Sequence, residues 1–117
     1  MDTNTLIASQ NDAFRKSIQQ FQASENTPKG KVVMTQGVAA RSPDFLLQLT
    51  RAVIAFDAFN ESCDPHGVHE MGVIEIEDAT VWFKIDLYDL NYEYGAEVPE
   101  DPDQTRRVLT MLLPSEY

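Results

Sequence analysis

Apolar residues in the N-terminal segment recur at helical intervals. Ile7, Phe14, Ile18 and Phe21 lie seven, four and three positions apart, with Gln, Asn, Lys and Arg between them. One stripe on a helix satisfies that spacing, and the pattern predicts a helix over about 5–23. Ser24 to Gly30 then breaks the period with polar residues, Pro28 and glycine, and hands over to Lys31-Val32-Val33-Met34-Thr35, a predicted strand that Gly37 ends or kinks. Ser42-Pro43-Asp44 is a helix start, because serine accepts from the free amides of the first turn, proline suits the first helical position and Asp44 complements the positive end of the dipole. Phe45, Leu49, Ala52, Val53 and Phe56 give this second helix its apolar stripe, and it is expected to run to about Phe59, before Asn60-Glu61-Ser62-Cys63-Asp64-Pro65.

The period changes to two over residues 72 to 88. Ile74 and Ile76 alternate with Glu75 and Glu77, and Val81, Phe83, Ile85 and Leu87 alternate with Trp82, Lys84, Asp86 and Tyr88. A hairpin is predicted with its turn at Asp78-Ala79, setting Ile76 opposite Val81 and Ile74 opposite Phe83, so that every aliphatic group falls on one face. Continuing that register sets Met71 opposite Asp86 and His69 opposite Tyr88, and puts Lys84 diagonal to Glu75 as a cross-strand ion pair. Residues 89–103, rich in acid, proline and glycine, read as an ordered loop anchored by tyrosines. Thr105 to Leu113 is open between helix and strand; strand is preferred for a short apolar run between prolines. Together these elements predict a single α+β domain over residues 1–117, with two helices packed on one face of an antiparallel sheet of about four strands.

Charge adds what the pattern does not show. The net charge is −10, yet residues 1–51 sum to +2 and residues 52–117 to −12. A surface of that sign repels phosphate, which disfavours direct nucleic-acid binding; it suits a protein partner with a basic surface, the alternative being that the charge only serves solubility. No apolar run reaches the roughly 18 residues that cross a bilayer, and the N-terminus has neither the basic start nor the apolar stretch of a secretory signal, so no membrane association and a cytoplasmic location are expected. A single cysteine, Cys63, excludes an intrachain disulfide framework and a multi-cysteine zinc site.

The densest chemistry is Asp64-Pro65-His66-Gly67-Val68-His69-Glu70, with both histidines and two carboxylates in seven residues. Imidazole and carboxylate are ordinary ligands of zinc and related divalent ions, which makes His66, His69 and Asp64 candidate metal ligands. Pro65 and Gly67 argue against a helix, so the zinc-protease motif does not transfer. Metal-free acid–base use is a second reading, and histidines that only tie the loop down are a third. Trp82, Lys84, Asp86, Tyr88 and Asp89 form a further group, the first four on the non-core side of the hairpin. That is the mixed polar and aromatic lining of a small pocket or a partner hot spot.

Three blocks carry a family resemblance: Lys31 to Val38; Asp64 to Gly72 with Trp82-Phe83-Lys84-Ile85-Asp86-Leu87-Tyr88-Asp89; and Arg107-Val108-Leu109-Thr110-Met111-Leu112-Leu113 running to Glu116-Tyr117. Together they resemble a small alphaproteobacterial family defined only as a domain of unknown function, although Cys63 and Met71 stand where that family usually has asparagine and an aromatic. The resemblance implies a bacterial cytoplasmic or mobile-element setting and no activity. The leading expectation is an acidic protein-binding module, in one form an inhibitor of a basic nucleic-acid-handling protein. A small enzyme built on Asp64, His66 and His69, with or without a divalent metal, and a small-molecule sensor using Trp82 and Tyr88 are the alternatives.

Overall fold

The computed structural model describes residues 2–18 and 27–117. The chain runs α1 (Thr3–Lys16), β1 (Gly30–Met34), the single-turn α2 (Gln36–Ala39), α3 (Pro43–Ala55), β2 (Met71–Ile76), β3 (Ala79–Tyr88), β4 (Arg106–Leu112) and a 3-10 turn at Pro114–Glu116. The fold is α+β, with a four-stranded sheet in the order β1-β4-β3-β2.

The sheet is mixed, which corrects the antiparallel expectation. β2, β3 and β4 are antiparallel neighbours, but β1 lies parallel to β4, with Gly30 beside Arg107 and Met34 beside Met111. Parallel neighbours require a long crossover. Here the chain leaves β1, passes through two helices and a hairpin, and returns as β4 in β1's direction, so the antiparallel rule of the hairpin cannot extend to the sheet edge.

α3 starts where its cap predicts, and α1 starts at Thr3, two residues before the expected Thr5. Asp2 accepts from the Thr5 amide at 2.8 Å, and the Ser42 hydroxyl accepts from Phe45 at 3.2 Å. Both end earlier than the apolar spacing suggests. α1 stops at Lys16 with Ser17 as its cap, while the part of the predicted helix over 19–23, with Phe21, lies outside the described residues. α3 stops at Ala55, and Phe56 turns extended (φ −63°, ψ 132°). A guanidinium meets the α3 terminus: Arg15 Nη1 donates to Val53 and Ile54 carbonyls at 2.6 and 2.9 Å, which satisfies two of the acceptors a helix end leaves open.

The hairpin keeps its predicted faces and changes its register by two residues. Ile74 pairs with Val81, Ile76 with Ala79 and Gly72 with Phe83. The loop is Glu77-Asp78, with Glu77 at φ 57°, the positive value that tight hairpin turns require at their first loop position. A slip of two preserves side-chain parity, so Ile74, Ile76, Val81, Phe83 and Ile85 stay buried together. Gly72 is obligatory in this register, since a Cβ there would be driven into the rings of Phe83 and Phe56. The core unites these strand residues with Leu109 and Met111 of β4, Phe14 of α1, Val38, and Phe45, Leu49 and Val53 of α3. The Arg106–Leu112 segment is the strand that its short apolar run suggested.

Two arginines are enclosed with that core. Arg15 and Arg107 are 1% and 0% exposed. Arg107 faces two neutral amides, donating from Nε to Asn11 at 2.8 Å and from Nη2 to Gln10 at 3.0 Å, while its Nη1 has no partner. Burial pushes this guanidinium down to about 10.

Candidate functional site

Strand alternation sends Trp82, Lys84, Asp86 and Tyr88 to the side of the sheet away from the core, beside Leu112, Thr110, Val108 and Arg106 of β4. Lys31 and Val33 of β1 continue the same rows, level with Val108 and Thr110. All four β3 side chains are half-buried. The Tyr117 ring meets the Trp82 indole edge-on, 5.5 Å between centroids. Lys84 Nζ donates to Asp86 at 2.9 Å. This same-strand pair replaces the expected cross-strand pair with Glu75, which sits opposite Thr80. The bond to Asp86 holds the Lys84 ammonium above its usual range. At 37% and 41% side-chain exposure the pair contributes at most about 1 kcal/mol.

Next to it lies a depression of about 220 Å³ whose lining includes Cys63, Glu70, Met71, Lys84, Asp86 and Tyr117. Met71 pairs with Lys84, not with Asp86. The Glu70 carboxyl is held above its ordinary value, by burial first and then by repulsion from Asp64 and Asp86. Asp89 belongs elsewhere: its Oδ1 accepts from the Asn91 and Glu93 amides at 3.1 Å each, closing the first turn of the acidic loop.

The histidine loop is built differently from the sequence expectation. Asp64 is buried, and its oxygens accept from the Val68 amide at 3.0 Å and the His69 amide at 3.1 Å. Gly67 and His69 both adopt positive φ, at 67° and 56°. His66 is exposed, and its carbonyl accepts from Asn4 at 3.2 Å. His69 does not continue β2 toward Tyr88. Its ring stacks flat on Phe59, 4.1 Å apart at 1°, and Nδ1 lies 3.0 Å from both oxygens of Asp12 on α1. Arg15 Nη2 donates to the same Asp12 at 3.0 Å. The positive φ at His69 turns the chain out of the strand, which is why the extrapolated register fails there.

The proposed ligand set Asp64, His66 and His69 therefore does not assemble. Asp64 is engaged by two amides and His69 by Asp12, and among the described residues no three His, Cys, Asp or Glu side chains are grouped to hold a metal ion. Sequence reasoning missed Asp12, Asn11, Arg15, Phe59, Arg107 and Tyr117. For the α1 residues a signal existed: Asn11 lies four from Ile7 and three from Phe14, and Arg15 four from Asn11, so both occupy the apolar stripe itself.

A mixed four-stranded sheet whose core side chains pack with residues of the helices, and whose alternate β3 side chains form a half-buried aromatic and ionic surface, defines an α+β protein with an open sheet face. Residues 34–116 match the model of DUF3768, proteins of unknown function. The chain belongs to that family, and the match spans α2, α3, the histidine loop and β2–β4, with α1 and most of β1 preceding it. Comparison with curated proteins and with solved structures finds no match. Among the described residues no helix is long and apolar enough to cross a membrane.

Proposed function

We propose that this protein is a binding module for another protein with a basic surface, and that the open face of the sheet is its docking surface. The observation that carries this reading is the projection of Trp82, Lys84, Asp86 and Tyr88 away from the core, with Tyr117 against Trp82 and the half-buried Glu70 carboxyl alongside. Half-buried aromatics surrounded by charge are the usual composition of a binding hot spot. Glu70 is held near Asp64 and Asp86, with His66 offsetting only part of their repulsion, so a lysine or arginine brought by a partner relieves the rest. The acidic balance of residues 52–117 supplies long-range attraction of the same sign. In its narrower form the partner is a basic nucleic-acid-handling protein of a bacterial mobile element, occupied where it would otherwise hold phosphate.

The test is capture from bacterial lysate with a photo-crosslinker at Thr110, beside Lys84 on the same face, carried in otherwise wild-type protein and in the Asp86→Lys and Tyr88→Ala variants. A basic protein is expected that is retained at low salt, released as salt rises and lost with both substitutions. Recovery of no specific protein, or of one indifferent to salt and to both substitutions, overturns the proposal.

A further inference from the structure

The cleft between α1 and the 64–69 loop is separate from the open sheet face. It encloses about 550 Å³, and its polar lining includes Thr5, Ser9, Asp12, Lys16 and His69, with Gly67 at the rim. Three features converge on His69. Its backbone holds φ 56°, which glycine adopts freely and a side-chain-bearing residue adopts at a cost of about 1 kcal/mol or more. Its ring is fixed from two sides, by the flat contact with Phe59 and by Asp12 at Nδ1. The side chain is still 33% exposed and lines the cleft. Strain, immobilisation and access at one imidazole are the usual signs of a group positioned for a ligand.

The charges say which ligand. Asp12, the carboxylate on the cleft, is already held by Arg15 Nη2 and by His69 Nδ1, each at 3.0 Å. Asp2 occupies Thr5, accepting from its amide at 2.8 Å. Left facing the cleft are the Ser9 hydroxyl, the Lys16 ammonium and the second nitrogen of His69, none with a hydrogen-bond partner among the described residues. Ser9, Asp12 and Lys16 fall three and four apart on one face of α1, with Ser9 and Lys16 about 10 Å apart along the axis. In a protein of net charge −10 this cleft has a free ammonium and hydroxyl beside a carboxylate that is already paired.

The geometry points to a binding site for a small molecule with an anionic end, its phosphate or carboxylate held between His69 Nε2 and Lys16 Nζ and a further polar group reaching Ser9. The ring, fixed by Asp12 on one side, stands between that carboxylate and the ligand, and bonds charge-assisted by the Lys16 ammonium are the strong kind. The site uses no residue of the open sheet face, so it stands or falls independently of the protein-binding reading.

The experiment is nuclear magnetic resonance of the full chain titrated with inorganic phosphate and, separately, with acetate, against sodium chloride at matched ionic strength. Saturable shifts of the His69 ring nitrogens and the Ser9 amide are expected. Lys16→Gln, an exposed change that leaves the helix content intact by circular dichroism, is expected to weaken the response about tenfold or more, while Lys31→Gln on the sheet leaves it unchanged. Saturation by phosphate alone assigns a phosphorylated ligand, and by acetate alone a carboxylate. Shifts that are linear and equal to those in chloride, or an affinity unaltered by Lys16→Gln, overturn the inference.

Discussion

Asn11 and Arg107 form a buried pair whose two members are expected to respond oppositely to replacement. Burial lowers the Arg107 guanidinium well below its ordinary value, to about 10, and a drop of that size corresponds to about 3 kcal/mol against the charged form. Arg107→Met removes that cost. It leaves the buried Asn11 Oδ1 without its donor, at about 1–3 kcal/mol, while the half-buried Gln10 turns to water. The sum is near zero, within about 1 kcal/mol of wild type. Asn11→Leu does the reverse: the guanidinium stays enclosed without the Nε acceptor at 2.8 Å, and the Val68 carbonyl loses the Asn11 amide that donates to it at 2.8 Å. Stranding a buried charge in this way costs about 3–5 kcal/mol, a large part of the roughly 5–15 kcal/mol that holds a small domain together. Urea unfolding followed by Trp82 emission and far-ultraviolet circular dichroism measures both. With a slope near 1.5 kcal/mol/M, the two variants are expected to differ in midpoint by about 2 M. If Arg107→Met proves as destabilising as Asn11→Leu, or Asn11→Leu lies within about 1 kcal/mol of wild type, the account of the pair is wrong.

Two glutamates make opposite contributions to acid stability. Glu70 has a folded value raised above 4.5, so its contribution is full below that pH and is lost as pH rises through the raised value; Glu70→Gln is expected to stabilise the protein at pH 7 and flatten that limb of the thermal-melting profile. Glu116 is lowered, because its carboxylate accepts from the Thr35 hydroxyl and from the Gly37 and Leu113 amides, the latter two at 2.8 and 3.0 Å. Its contribution is present above 4.5 and is lost as pH falls through the lowered value, so Glu116→Gln is expected to remove part of the acid transition and alter Trp82 emission through the neighbouring Tyr117. Glu77→Gly at the hairpin turn, where φ is 57°, is expected to raise stability by about 0.5–1 kcal/mol in urea melts; an unchanged or lower midpoint contradicts the strain assigned there.

How much was legible in the sequence depended on the range of the determining interaction. The cap at Ser42 and the alternation from Ile74 to Leu87 are set by near neighbours, so the start of α3 and the two faces of the hairpin follow from residue order, whereas α1 begins two residues before the expected Thr5. The register did not, because it turns on one backbone angle at Glu77 that no side chain announces. The parallel placement of β1 depends on where β4 returns, over seventy positions away. In the candidate site, parity put Trp82, Lys84, Asp86 and Tyr88 on one surface without any coordinates. His69 was assigned to the same surface by extending a strand past the point where its own φ ends it, and its partner Asp12 lies on a helix 57 residues earlier. Asp64, grouped with His69 by sequence proximity as a candidate ligand, accepts instead from the loop's own Val68 and His69 amides.

The adjacency of β1 and β4 has a consequence for how the molecule comes into being. As the ribosome extends the chain, Gly30–Met34 emerges early but has no neighbour until Arg106–Leu112 follows, because Gly30 and Arg107 are the residues that meet. Closing so long a loop is entropically costly and slows folding. A nascent or truncated chain lacking the final strand leaves Val32, Val33 and Met34 as a solitary apolar ribbon, the kind of segment that recruits chaperones or seeds aggregates.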